Sequence, residues 1–287
     1  MQSIWSQLGA IDPRALVEAR LQAHYGLQWA TRAARANLPA QPGDDQSNFG
    51  WDTSRQALVT HDLAAADGGI FFRVGLGIAV LNLFVVKGTE MVAEFELEGR
   101  TEVEAGTWID GVLADLGLHA ASGVTLRYSI PVHPVAQGGR YSATTDEAGF
   151  AGLARWFAAA DDILQETRLR LVNIGSRASP VRCWPHHFDI ATLLSPATGH
   201  PERVASIGIG MSPGDEYYPQ PYFYVSPWPA PPVDALPALP HPGHWHTLDF
   251  VGAVATGEDV VSASEPRAHT HKFIDAAVAI LRGLPAA

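Results

Sequence analysis

The hydrophobic positions of the chain switch between a helical period and a strand period. Leu16, Ala19, Ala23, Leu27, Ala30 and Ala34 recur at helical spacing after Asp12-Pro13, where Asp caps a helix and Pro fits its first turn. Pro39 ends that helix, and the stretch Pro42 to Asn48 has the chemistry of a loop. A strand-rich block follows around Ala57-Leu58-Val59, from Phe71 to Val80 and from Leu81 to Val86, with Gly75, Gly77 or Asn82 marking a bend or bulge. Over 91–97 the acidic and apolar residues alternate. Val92, Glu94 and Glu96 oppose Ala93, Phe95 and Leu97, as in a half-solvated strand. Thr101-x-x-Glu104 is a capping box for a helix with Trp108, Ile109, Val112, Leu113 and Leu116 inward and Gly117 past its end.

The second part repeats the mixture. Val124 to Ile130 reads as a strand, and Thr144-x-x-Glu147 as the cap of a long helix over 145–171 with Phe150, Leu153, Ala154, Phe157 and Leu164 on one face. Further strands are expected from Cys183 to Leu194, near Val204 to Met211, from Tyr222 to Val225 and from His244 to Val254. Segment 227–243 is rich in proline and is expected to run as polyproline II. Glu265-Pro266 opens a last helix with Phe273, Ile274, Ala277, Val278 and Leu281 inward. The class expected is α+β, antiparallel sheets with helices packed on one side. Trp51 and Trp184 each begin a strand, and Gly75-x-Gly77 and Gly208-x-Gly210 follow at the same offset. Helix segments 108–116 and 273–281 agree at four of nine positions. This suggests a duplication of 49–118 and 181–284 within one compact unit, 1–287, joined by the long helix; chance likeness of amphipathic helices is the alternative.

Composition narrows the partners. Of the 287 residues, 47% are hydrophobic and 17% charged, enough for a core and too little charge for a disordered chain. The net charge of −11 disfavours nucleic acid and anionic lipid and suits neutral or cationic ligands. Cys183 stands alone, so no internal disulfide or thiolate cluster forms, and any metal would be held by His, Asp or Glu. The start carries no secretory pattern, and the apolar run 78–86 is far short of the ~20 residues of a membrane helix. A soluble, cytoplasmic protein is expected.

Candidate chemistry concentrates between Val181 and Tyr224. On a continuous strand His187 and Asp189 would share one face, with Trp184, His186 and Phe188 on the other. With His244 or His246, a same-face pair further on, they form a donor set that zinc, iron or manganese accepts. Buried hydrogen-bonded and exposed histidines are the plain alternative. Asp215 and Glu216, in a turn, are placed to act as general base or to orient a ligating histidine. Trp184, Tyr217, Tyr218, Tyr222 and Tyr224 would wall an aromatic pocket, or pack a sheet edge, which Pro219 and Pro221 favour.

The run Ser179-Pro180-Val181-Arg182-x-Trp184-Pro185-His186-His187-Phe188-Asp189-Ile190-Ala191, followed by Ser212-Pro213-Gly214-Asp215 and Pro221-Tyr222-Phe223-Tyr224, resembles an uncharacterised bacterial family known only as a domain of unknown function. The resemblance extends to Gln28-Trp29, to the loop from Asp44 to Trp51 and to Trp156-Phe157. It implies a coherent fold and supplies no activity. Distant members keep the Phe-Asp pair and change the two histidines, which implies a structural role for Phe188-Asp189. The function expected is therefore a divalent-metal enzyme, hydrolase or oxygenase, acting on a small molecule. Alternatives are a non-catalytic small-molecule-binding protein and an assembly module docking through 227–243.

Overall fold

The helical repeat that starts at Leu16 forms α1, Val17–Asn37, with Ala19, Ala23, Leu27, Ala30 and Ala34 fully buried. It belongs to a computed structural model that describes residues 3–65, 68–173, 176–195, 206–239 and 243–284. The chain divides into two compact units: a first of Leu16–Ala154 with Arg182–Phe188, and a second of Met1–Ala15, Arg155–Val181 and Asp189–Ala287. The fold is α+β, with two antiparallel sheets and two strand-rich halves. Among the described residues no helix is long and apolar enough to cross a membrane.

In the first unit β1 (Gly50–Asp52), β2 (Ala57–Val59), β3 (Leu63–Ala64), β4 (Phe71–Gly77), β5 (Asn82–Lys87) and β6 (Glu90–Glu96) make one sheet. Its order is β1-β2-β4-β5-β6, with β3 beside β4. The expected bend falls at 78–81, where Leu81 takes a left-handed φ of 51°. Gly75 faces Phe84 across the β4–β5 ladder, and an added Cβ would lie 2.3 Å from the ring. The missing side chain lets Phe84 join the buried cluster of Ala57, Val59 and Val86. On β6 the polar residues are exposed while Ala93, Phe95 and Leu97 turn inward, as the alternation predicts. The helix α2 (Glu102–Asp115) starts at a formed capping box, Thr101 with Glu104, and Phe95 stacks on its Trp108 at 5.1 Å. Thr101→Ala is expected to cost about 1 kcal/mol in urea unfolding, because an amide of the first turn loses its acceptor.

Residues 124–130 form no strand. Their alternation lays side chains on α1 instead: Tyr128 donates from its hydroxyl to Gln28 at 2.7 Å. The cap expected at Thr144 and Glu147 is replaced by a 3-10 turn, Thr144–Asp146, where Asp146 accepts from the Gly149 amide at 3.1 Å. The long helix α3 follows, Glu147–Asn173.

Next come β7 (Arg177–Ala178) and β8 (Arg182–Trp184). β8 belongs to the first unit, where Cys183 and Phe49 exchange backbone bonds of 2.8 and 2.9 Å. The strand expected from Cys183 to Leu194 is interrupted. Pro185 turns the chain, the Phe188 amide donates to the Trp184 carbonyl at 2.7 Å, and Phe188 takes a φ of 59°. The chain re-enters a sheet only as β9 (Asp189–Ser195).

The second unit adds β10 (Ser206–Ser212), β11 (Tyr222–Trp228), β12 (His244–His246), β13 (Gly252–Thr256), α4 (Gly257–Ser262) and α5 (Pro266–Gly283). Its strands run in the order β12-β13-β11-β10-β9-β7. Thus β11 is interior, not an edge; Pro219 and Pro221 lie in the turn before it and take no donor from the ladder. The expected strand His244 to Val254 is a hairpin, because Asp249 adopts a φ of 65° and reverses the chain. Phe273, Ile274, Ala277, Val278 and Leu281 of α5 are buried, and the helix packs on β10, β11 and β13. The proline-rich segment is no uniform polyproline helix: it includes a 3-10 turn, Val233–Ala235, and the Trp245 indole holds its Pro237 carbonyl at 2.7 Å. Residues 240–242 of it lie outside the described residues.

Candidate functional site

Alternation along β11 sends Phe223 and Val225 into the core and Tyr222 and Tyr224 to the opposite face. Four tyrosines gather on that face and in the preceding turn. Gly210 of β10 pairs with Tyr224, and an added Cβ there would lie 2.6 Å from the phenol. The bare backbone lets Tyr224 cross β10 and donate its hydroxyl to Asp189 on β9. Tyr222 donates to Asp215, and the rings of Tyr218 and Tyr222 pack 4.9 Å apart. Asp215 also accepts the backbone amides of Tyr217 and Tyr218 at 2.9 and 3.0 Å, which fixes the turn. Tyr217 donates to Asp249 at 3.1 Å.

Tyr218 stands between two imidazoles, 2.9 Å from His244 Nε2 and 3.0 Å from His246 Nδ1. His246 Nε2 lies 2.6 Å from the Leu248 carbonyl oxygen, which only accepts, so Nε2 carries the proton. An unprotonated His246 Nδ1 accepts from the Tyr218 hydroxyl, and the Tyr218 oxygen then accepts from His244 Nε2–H. The bonds therefore run in one direction from the exposed His244 to the buried His246. Phe250 stacks on His246 at 4.1 Å and Tyr217 meets it edge-on at 4.9 Å. Burial, then the Asp215 charge, raises the pKa of Tyr218 above that of a free phenol, and the same causes raise Tyr222 further. The Asp249 hydrogen bond raises Tyr217. All three stay protonated near neutral pH.

The residues expected to hold a metal are divided between the two units. His187 is exposed in the turn 185–188 of the first unit, its ring 4.3 Å from His186. Asp189 belongs to the second unit and receives Tyr224. His244 and His246 share Tyr218, and both ring nitrogens of His246 are hydrogen-bonded. Among the described residues no three His, Cys, Asp or Glu side chains form a group that could hold an ion. Of the expected pair of acids, Asp215 is engaged through both oxygens and Glu216 is exposed. Trp184 lies in the first unit, edge-on to His186 at 6.1 Å.

Sequence reasoning missed Asp249, Leu248 and Phe250 as members of the cluster. On one continuous strand over 244–254 Asp249 would face away from the two histidines; the reversal at Asp249 brings it to Tyr217. No family model, curated protein or solved structure matches the chain.

Proposed function

We propose that the protein binds a small cationic molecule, an amine or quaternary ammonium, at the tyrosine face of the second unit. One observation carries this reading: the four tyrosine hydroxyls are hydrogen-bonded to carboxylates and imidazoles, those of Asp189, Asp215, Asp249, His244 and His246. Ring faces beside carboxylates attract a cation through both quadrupole and charge. The net charge of −11 favours its approach. Titration with tetramethylammonium should shift the tyrosine ring resonances saturably, and Tyr217→Ala or Tyr218→Ala should weaken binding about two- to fivefold. Unshifted rings would remove the proposal.

A second reading, an enzyme in which His246 takes the Tyr218 proton as general base, is favoured by the fixed order Tyr218, His246, Leu248 carbonyl. A hydroxyl, a histidine and a group that orients the histidine make up the general form of acid–base sites. It requires His246 to carry its proton on Nε2 at neutral pH. Nitrogen NMR showing the proton on Nδ1 instead would exclude it.

A further inference from the structure

A cleft of about 590 Å³ opens in the first unit, and none of the candidate residues discussed above lines it. Its walls come from β1 and the turn after it, from residues that follow β2, from β4 and from β8. The volume lies within the ~300–1,000 Å³ of small-molecule sites. Its chemistry is opposite in sign to that of the tyrosine face. Arg73 and Arg182 bring guanidinium groups to the cleft from separate strands, with His61 beside them.

The acids of the cleft are already engaged. Asp52 accepts three bonds on Oδ1, from the Ser54 amide at 3.0 Å, the Ser54 hydroxyl at 2.6 Å and the Arg55 amide at 3.2 Å. Its Oδ2 takes Arg55 Nη1 at 3.0 Å. Its charge is thus balanced by an arginine that does not line the cleft. Asp62 approaches Arg73 Nε at 3.7 Å with its side chain two-thirds exposed, a pairing that solvent screens. Arg182 lines the cleft, and Gly50 gives its guanidinium room: an added Cβ there would lie 3.0 Å from Nη1. Thr60 is buried and accepts the Val74 amide at 3.0 Å, so its hydroxyl hydrogen points elsewhere, as a donor. Two guanidiniums, a donating hydroxyl and a half-buried indole, Trp51, suit an anionic oxygen group on a small body.

We propose that this cleft is a binding site for a small molecule bearing an acidic oxygen group, carboxylate or phosphate, with Arg73 and Arg182 as its paired anchors. The proposal is independent of the tyrosine face. Its test is calorimetric titration of the full chain at low salt with inorganic phosphate and, separately, with malonate. Saturable millimolar or tighter binding of either is expected. Phosphate alone would identify a phosphate ligand, malonate alone a carboxylate. Arg182→Gln and Arg73→Gln should each weaken it at least about tenfold, and Tyr217→Ala should leave it unchanged. Melting curves of each variant separate lost binding from lost fold, and Arg73, partly exposed at the cleft wall, is the substitution that keeps the core intact. Absence of saturable binding by either anion, or unchanged affinity in a folded Arg73→Gln protein, would overturn the proposal.

Discussion

Phe223→Ala is expected to lower the folding free energy by about 3–5 kcal/mol, the range of a large aromatic removed from a close-packed core. Phe223 is fully buried on β11, paired with Met211 of β10 on one side and Ala255 of β13 on the other. Its ring stacks on Trp5 at 6.1 Å and tilts against Trp156 at 6.3 Å. The two tryptophans approach it from the 3-10 turn Ile4–Ala10 and from α3. Trp5 is itself held, its indole donating to Asp162 at 3.0 Å. These neighbours are large, and one is tethered, so they close poorly around a cavity. Denaturant unfolding of the variant, followed by tryptophan fluorescence, reads the loss directly. A shift below about 1 kcal/mol would mean that the packing around β11 yields, in contradiction to the burial described.

The second large effect is a loss of stability in mild acid centred on His24. Its side chain is buried on α1, stacked on Phe188 at 5.0 Å, with Nε2 donating to the Pro185 carbonyl at 2.8 Å. Burial lowers its pKa to about 4; the Pro185 bond opposes the shift, and Arg20, His187 and His186 add to it. The ordinary value is 6.5. Between the two, the unfolded chain takes up a proton that the folded chain refuses, so stability is complete above pH 6.5 and falls as the pH drops toward 4. The full contribution is roughly 3 kcal/mol, of which about 2 kcal/mol is gone at pH 5. His186, lowered to about 4 by burial and then by His187, acts in the same direction. Urea unfolding at pH 7 and pH 5 should show the loss in the native protein and one smaller by about 2 kcal/mol in His24→Gln, where position 24 no longer titrates and His186 still does. An equal loss in both would assign the acid sensitivity to other groups.

Much of this architecture is legible locally. The acidic–apolar alternation over 91–97 becomes β6, and Thr101 and Glu104 make the reciprocal bonds their spacing implies. Gly117 ends α2 with a φ of 70°. Legibility fails where one residue reverses the chain. Phe188 and Asp249 are left-handed without being glycine, and each cuts an expected strand into two pieces. The tyrosine face was half visible: Tyr222 and Tyr224 share a strand face by spacing alone. Their carboxylate partners, Asp215 and Asp189, follow from the turn and from the gap above Gly210. The arginine cleft was invisible, since Arg73 and His61 belong to no motif and meet Arg182 through the pairing of Phe49 with Cys183 and of β2 with β4.

Among the described residues β6 ends its sheet, pairing with β5 alone, and it exposes Glu90, Glu94 and Glu96 beside Met91 and Val92. Its outer row of amides and carbonyls is a template onto which a second molecule could add a strand, and mutual repulsion between like carboxylates blocks that addition. Neutralising the three glutamates, by acid or by glutamine, would expose an apolar, β-prone ribbon to its own kind. Negative charge along β6 thus keeps copies of the first unit from polymerising.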